Sequence, residues 1–355
     1  MLSKHIDIVE IELTSKCNAR CPGCARTKFG KTRPDLLLDE ITIEEFKNIF
    51  PPNFIKDKGF VFSGVLGDCI MAKDILPISQ YLSDNKASWV NLTTNGGVRP
   101  KEFWKDLGKL SHDSDAIVTV TFSVDGHENT NHLYRVNVVW KKLWENMTAY
   151  SEAGGTGNWQ YLIFEHNVND LDVAKQSAKD LGFKFKTRLS TRNWRSWDSK
   201  SIKKINGHLK TITKTITSQS QLKEKYKHKE LDRTKELTDR FHQFPHFKIS
   251  KKESKSITCK FIHSKEMFIG YDKKVWPCCW FHTGNTTDFW PQLKLISQKY
   301  GEDWNDASKH SLEEILNHEY YAKVLADSWN GTHKLNIPEC FIKCGDKGSR
   351  WQIKE

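Results

Sequence analysis

No stretch of the 355 residues reaches the roughly 18 consecutive apolar positions that a membrane-spanning helix needs. A 28% charged fraction and a mean hydropathy of -0.63 point the same way, so no membrane association is expected. A secretory signal is missing too. Asp7 and Glu10 interrupt the first apolar run of Met1 to Glu10 (MLSKHIDIVE), and no small-residue cleavage site follows. A cytoplasmic protein is the expectation. Internal repeats are absent, as is any low-complexity tract outside one basic segment. Also lacking is the even cysteine set of a disulfide scaffold. The nine cysteines fall into groups instead: Cys17, Cys21 and Cys24, then Cys69 alone, then Cys259, Cys278, Cys279, Cys340 and Cys344. Grouped cysteines in a chain of this size suggest metal.

Apolar residues at 37% and aromatics at 12% suffice for a core. At roughly 150 residues per domain, the length allows about two domains, or a large one with an appendage. The formal net charge of +11 is unevenly placed: Lys186 to Lys260 holds 21 Lys or Arg against 7 Asp or Glu, and the rest is slightly acidic. Periodicity weakens from Ser199 to Ser256, through KTITKTITSQSQ and KEKYKHKE, which reads as a basic bridge or insert over 199–256. It is either a solvated helix or linker, or a face for an acidic partner. Aromatics are sparse there, so nucleic acid is not an expected partner.

Six runs rich in β-branched or aromatic residues predict strands: Ile6 to Leu13, Gly59 to Ser63, Trp89 to Thr94, Ile117 to Val124, Trp159 to Glu165 and Phe183 to Leu189. Helical stretches separate them. Thr42 to Phe50 opens with a capping box (Thr42, Glu45), and Lys141 to Ala153 stops at Gly154 and Gly155. Repeated βα units imply a parallel sheet with right-handed crossovers, open or curled into a barrel. Further on, Phe268 to Trp280 predicts a hairpin turning at Tyr271 and Asp272. Ser311 to Asp327 predicts a helix with a second capping box (Ser311, Glu314).

Polar residues and glycines follow each predicted strand: Thr14, Ser15 and the cysteine loop; Gly64, Gly67 and Asp68; Asn95, Gly96 and Gly97; Ser123 to Gly126; Glu165, His166 and Asn167. In parallel barrels this carboxyl-terminal rim binds ligands, although βα loops are polar in most proteins.

Cys17, Cys21 and Cys24 give C-x3-C-x2-C directly after the first strand. Three thiolates so spaced can hold three irons of a 4Fe-4S cubane. With no fourth cysteine in reach, one iron stays open to an exogenous ligand. Zinc is the competing reading, and it lacks a fourth ligand. The segment Glu12 to Arg26 (ELTSKCNARCPGCAR) resembles the cluster loop of the radical S-adenosylmethionine superfamily. The likeness spans about Ile6 to Leu189. Gly64 to Cys69 (GVLGDC) is similar to the family's glycine-rich second-strand motif, Thr93 to Gly97 (TTNGG) to its third-strand loop, and Ser123 to Gly126 with Tyr134 and Arg135 to its fourth. Two departures stand out. The glycine-rich motif normally ends in Glu-Pro, here Asp68 and Cys69, and the residue before the third cysteine is usually bulky, here Gly23.

The resemblance implies a partial (β/α)6 TIM-like barrel over 1–198 and a 4Fe-4S cluster with an open iron that chelates S-adenosylmethionine. It implies reductive cleavage to methionine and a 5'-deoxyadenosyl radical. By the same resemblance, Gly67 and Asp68 face the methionine amino group, Ser123 and Arg135 the carboxylate or ribose, and Asn95 and Asn167 the nucleoside. A one-electron donor such as a flavodoxin or ferredoxin is the implied partner.

The later cysteines are similar to the auxiliary-cluster extension of peptide-modifying radical enzymes, the SPASM or shorter twitch type. VWPCCW and PECFIKC carry the likeness. It implies a small domain over 257–355, with a hairpin and a helix, holding one auxiliary 4Fe-4S cluster on Cys259, Cys278, Cys340 and Cys344. Cys279 is left spare, and four thiolates would also suit zinc. Cys69 reads as a small buried thiol. The expected function is hydrogen abstraction from a peptide or protein substrate. The alternatives are a twitch-type dehydrogenase or epimerase of a small molecule (sugar, aminocyclitol or nucleotide), kept open because no separate leader-peptide-binding domain is seen, and a non-catalytic metal-stabilised nucleic-acid module. Asp125, Tyr134, His166 and Asp198 are the available acid or base residues.

Overall fold

All six predicted runs form strands, their ends shifted by up to three residues: β1 (Ile8–Ile11), β2 (Gly59–Phe62), β3 (Trp89–Thr94), β4 (Ile117–Ser123), β5 (Thr156–Ile163) and β6 (Lys184–Leu189). The structure is a computed structural model describing residues 5–22, 24–28, 31–114, 116–164, 166–189, 257–286, 291–329, 333–337, 340–341 and 344–345. Gly23, Glu165, Asp198 and the basic 199–256 segment lie outside the described residues.

Neighbouring strands run parallel in sequential order from β1 to β6. Parallel neighbours cannot be joined by a tight turn, so each gap holds a helix. These are α1 (Ile43–Ile49), α2 (Ile75–Asp84), α3 (Lys101–Asp113), α4 (Trp140–Glu152) and α5 (Leu171–Asp180). Thr42 and Glu45 form the complete capping box on α1, and α4 stops just short of Gly154.

Alternation along the strands sorts the two faces. Val9, Ile11, Phe60, Phe62, Val90, Leu92, Val118 and Val120 are buried. They lie on the helix side, where Phe50 meets Phe60 at 5.8 Å and Trp104 lies 5.5 Å from Phe122. The opposite face is polar. There Asn91 Nδ2 donates to Thr119 Oγ1 at 2.8 Å and Thr121 Oγ1 at 3.0 Å, and Asn158 Nδ2 donates to Thr121 at 3.3 Å. Helices on one face and a hydrogen-bonding surface on the other make a partial TIM-like barrel.

The predicted hairpin forms, as β7 (Glu266–Ile269) and β8 (Val275–Trp276), and it joins the barrel sheet. β7 runs parallel to β1, whose other edge holds β2. The free edge of β1 would otherwise leave unpaired backbone groups. The sheet thus has eight strands in the order β8-β7-β1-β2-β3-β4-β5-β6. Three helices follow: α6 (Cys279–Thr286), α7 (Pro291–Tyr300) and α8 (Leu312–Leu316).

Ser311 and Glu314 cap α8 as the sequence implies, but the helix does not run to Asp327. It ends at Asn317, and a wider turn over Tyr320–Val324 precedes Leu325–Asp327. Adjacent Tyr320 and Tyr321 both pack on Trp304, at 5.0 and 5.8 Å. Adjacent side chains of a regular α-helix diverge around its axis, so burying both against one ring competes with α geometry. Among the described residues, no helix is long and apolar enough to cross a membrane.

Candidate functional site

Beyond β1 the chain crosses the carboxyl-terminal rim and carries Cys17, Cys21 and Cys24 on one loop. Its backbone is pinned from two sides: Asp68 N donates to Lys16 O at 2.9 Å, and Arg20 N donates to Val136 O at 3.0 Å. Ser15 Oγ donates to Leu37 O at 2.7 Å. Cys21 is buried, and Cys17 and Cys24 are half-buried. Burial, then the Asp68 charge, pushes the Cys17 thiol up, and Cys21 and Cys24 add to the shift. The three sulfurs are therefore within electrostatic reach of one another. Nucleophilic cysteines show the opposite shift. A bound metal would deprotonate its thiol ligands outright. They converge without closing: among the described residues, no three Cys, His, Asp or Glu side chains form a finished ligating set.

Four of the predicted cofactor residues gather round this loop. Asn95 Nδ2 lies 3.8 Å from Cys17 Sγ, 2.8 Å from Asn18 Oδ1 and 2.6 Å from Asp68 Oδ2. Asp68 also accepts from Asn95 N at 2.8 Å, and burial pushes its carboxyl up. Arg135 Nη1 lies 3.8 Å from Cys21 Sγ, while its Nε donates to Asp125 Oδ2 at 2.7 Å. Burial disfavours the guanidinium charge, but Asp125 and then Cys21 outweigh it and hold Arg135 above its usual range. Gly67 has no room for a side chain, since a Cβ there would fall 1.8 Å from the Thr14 carbonyl oxygen.

The other predicted residues stand further back. Ser123 ends β4 at the same rim. Asn167 is fully buried and donates to the Asp125 and Leu162 carbonyls, at 2.9 Å each, while accepting from Phe164 N at 2.8 Å. Both of its donors thus hold the rim backbone. Of the acid or base candidates, Asp125 is tied to Arg135 and to Leu162 N at 2.7 Å, and Tyr134 packs on Phe164 at 4.4 Å. His166 stacks on Phe164 at 5.2 Å, and burial, with His132 second, lowers its pKa to about 4. Cys69 is buried with Sγ 3.3 Å from Thr93 O, and burial drives its thiol up.

The later cysteines form a second group. Thr258 N donates to Cys344 O at 2.8 Å, and Ile257 bridges Gly345, so the two ends of this region meet. Burial pushes the Cys278 thiol up, and neighbouring Cys340 and Cys259 add to the shift, while Cys344 acts in the same direction on buried Cys259. Cys279 faces another way. After burial its strongest neighbour is Glu10, followed by Cys278, Lys260 and Glu266. Cys340, Cys278, Cys259 and Cys344 are thus linked in succession as electrostatic neighbours, and buried Tyr320 feels three of them, but among the described residues they too form no finished ligating set.

The sequence matches no family model and no curated protein. Solved structures do resemble it. The structure of anSMEcpe with bound AdoMet matches with a TM-score of 0.50 at 14% identity, over 89% of this chain and 78% of that one. This chain has the fold of anSMEcpe. SuiB from Streptococcus suis, bound to S-adenosylmethionine, gives a TM-score of 0.46 at 14% identity, over 79% of this chain and 63% of SuiB. The chain thus spans less than two thirds of SuiB. BtrN, in complex with AdoMet and 2-DOIA, gives 0.43 at 11% identity over 93% of this chain and 91% of that one. At such identities the likeness is one of fold.

Glu12 opens the cluster-loop segment but the resemblance assigns it no role, and no motif marks His282; both are fully buried at the rim and meet at 2.8 Å. Glu12 Oε1 accepts from Gly67 N at 2.9 Å and from Leu66 N, while Oε2 faces His282 Nε2. Burial lowers the His282 pKa, but Asp272 and Glu12 outweigh it and hold it above the usual value. The available signal was Glu12 itself, an acidic residue between apolar Ile11 and Leu13 at the end of the first strand.

Proposed function

We propose that this chain is a radical S-adenosylmethionine enzyme that abstracts hydrogen from a carbon of a peptide or protein side chain. One observation carries the reading: the C-x3-C-x2-C loop sits on the carboxyl-terminal rim of a partial barrel, with Gly67, Asp68, Asn95 and Arg135 around it. The anSMEcpe structure of the same fold holds AdoMet, which supports it.

Three thiols without a fourth cysteine in the loop fit a 4Fe-4S cluster with one open iron. When bound, that cluster supplies the electron that splits AdoMet into methionine and a hydrogen-abstracting 5'-deoxyadenosyl group. The chain's own residues bind and orient. Gly67 lets the backbone approach closely beside Asp68, where the methionine amino group would lie. Arg135, its Nε fixed by Asp125 and its Nη1 beside Cys21, would offer its other N–H groups to the carboxylate or ribose, with Ser123 assigned to the same end. Asn95 orders the nucleoside side, and Asn167 steadies the Asp125 loop behind it.

Cys259, Cys278, Cys340 and Cys344 would hold one auxiliary 4Fe-4S cluster, and the influence of Cys340 and Cys259 on Cys278, against that of Glu10 on Cys279, supports choosing Cys278 over Cys279. Four thiolates suit zinc equally, so metal analysis is decisive. A flavodoxin or ferredoxin would deliver the electron. The likeness of this cysteine arrangement to peptide-modifying enzymes supports the substrate class. A second reading, dehydrogenation of a polyhydroxylated small molecule, is favoured by the amide and hydroxyl network of Asn91, Thr119, Thr121 and Asn158 on the open face.

Anaerobic reconstitution tests the proposal. About eight iron and eight sulfide per chain, with 5'-deoxyadenosine formed on reduction, are expected. Tight zinc without cleavage overturns it. Deuterated peptides and deuterated polyols, each traced into deoxyadenosine, separate the two substrate readings.

A further inference from the structure

Resting on the AdoMet reading above, we infer that His282 is a positioning residue for the Gly64–Asp68 loop, through which the segment bearing the second cysteine group sets AdoMet affinity at the first. The loop has no strand or helix of its own up to Asp68. Its shape is imposed at Leu66 and Gly67, whose N–H groups converge on Glu12 Oε1. The Glu12 side chain is fully buried, and burying a carboxyl is costly unless both of its oxygens find hydrogen-bond partners. Backbone N–H groups serve one oxygen. His282 serves the other, at 2.8 Å.

That donor comes from the far part of the chain. His282 sits on α6, which starts immediately after Cys278. The turn between β7 and β8 is fitted to the same place. A Cβ on Gly270 would fall 2.3 Å from the His282 ring, so only glycine lets the histidine in. Tyr271, at the tip of that turn, packs with Leu66 and Leu36 in a small apolar cluster. Arg26 Nη1 donates to Leu66 O at 3.0 Å. Leu66 is therefore held by its N–H, its carbonyl and its side chain, and two of those three grips lead to the hairpin and α6. The residues next to it, Gly67 and Asp68, are the ones that meet the cysteine loop.

Removing the imidazole leaves Glu12 Oε2 without its partner, so the carboxyl can turn toward incoming water and away from Leu66 N and Gly67 N, and the loop loses its single position. A site built on that loop must then spend binding free energy to re-form it. Linkage makes the effect reciprocal: AdoMet should tighten the hold on α6 as much as α6 tightens AdoMet.

The test uses the full, reconstituted chain and equilibrium dialysis of AdoMet under anaerobic conditions. His282→Ala should weaken AdoMet by about tenfold, the scale of one lost charge-assisted hydrogen bond. His282→Gln, whose Nε2 can replace the imidazole donor, should recover most of that loss. Iron content and the rate of deoxyadenosine formation at saturating AdoMet should stay within about threefold of wild type, a split between affinity and turnover that general misfolding does not produce. Should His282→Ala not fold, His282→Leu, which fills similar space without a hydrogen-bond donor, carries the same expected loss. Unchanged affinity in a folded variant, or equal loss of affinity and saturated rate in both His282 variants, overturns the inference. A wild-type chain that binds no AdoMet overturns the functional reading itself, an outcome distinct from the other two.

Discussion

Arg135 reaches to within 3.8 Å of Cys21 Sγ while Asp125 grips its Nε at 2.7 Å. Asp125 is fully buried and its other oxygen accepts from Leu162 N, so the arginine is aimed by a carboxylate itself fixed to the β5 backbone. Asp125→Asn leaves the Arg135 charge uncompensated in a buried setting. A stability loss of about 3 kcal/mol is expected, read as a lower urea midpoint. An unchanged midpoint would show that the pair is not structural.

The adjacent cysteines should behave oppositely. Cys278 faces Cys340 and Cys259, whereas Cys279 faces Glu10, Lys260 and Glu266. Reconstituted Cys278→Ser should lose about half of the iron of the wild type, and Cys279→Ser almost none. Iron and sulfide assays on the two proteins decide, and equal losses would count against the assignment.

Much of this arrangement was legible locally. Runs such as WVNLTT alternate between the helix side and the open face, and the boxes at Thr42 and Ser311 mark helix starts through side chains three residues apart. The cysteine loop could be placed because it directly follows such a strand. Long-range pairing could not be read this way. The four residues EMFI carry no mark of their partner, yet they add to β1. Glu12 and His282 lie 270 positions apart, so neither signals the other. The helix break after Leu316 depends on where Trp304 sits, which no local pattern encodes.

Glu10 predicts a pH dependence of stability. Burial raises its carboxyl to about 7, with Glu266 adding and Lys260 and Ser63 opposing. The unfolded chain releases this proton near 4.5 and the folded chain near 7, so the folded state binds more protons between those values. Stability from this group is full below pH 4.5 and is lost as pH rises to 7. Glu10→Gln mimics the protonated acid. It should match wild type near pH 4.5 and exceed it by on the order of 2 kcal/mol at pH 8. Urea titrations at the two pH values check this, and a gain of the same size at both would refute it.

Gly67 separates folding from cofactor binding. Its neighbours are backbone: a Cβ would sit 1.8 Å from Thr14 O and 3.1 Å from Lys16 O, and neither oxygen can swing aside as a side chain would. Gly67→Ala must therefore push the Gly64–Asp68 loop off the start of the cysteine loop, moving Asp68 away from Asn95. The strands beneath it rest on other contacts, since Phe60 and Phe62 pack toward the helices. A loss of about 1–3 kcal/mol in stability is the expected cost of such overpacking, small enough for the chain to stay folded. On the proposed AdoMet assignment, affinity should fall much further, by about a hundredfold, because the displaced backbone would be part of the binding surface. Circular dichroism with equilibrium dialysis tests both halves. A variant that keeps its affinity would show that the close approach of Gly67 to Thr14 serves packing alone.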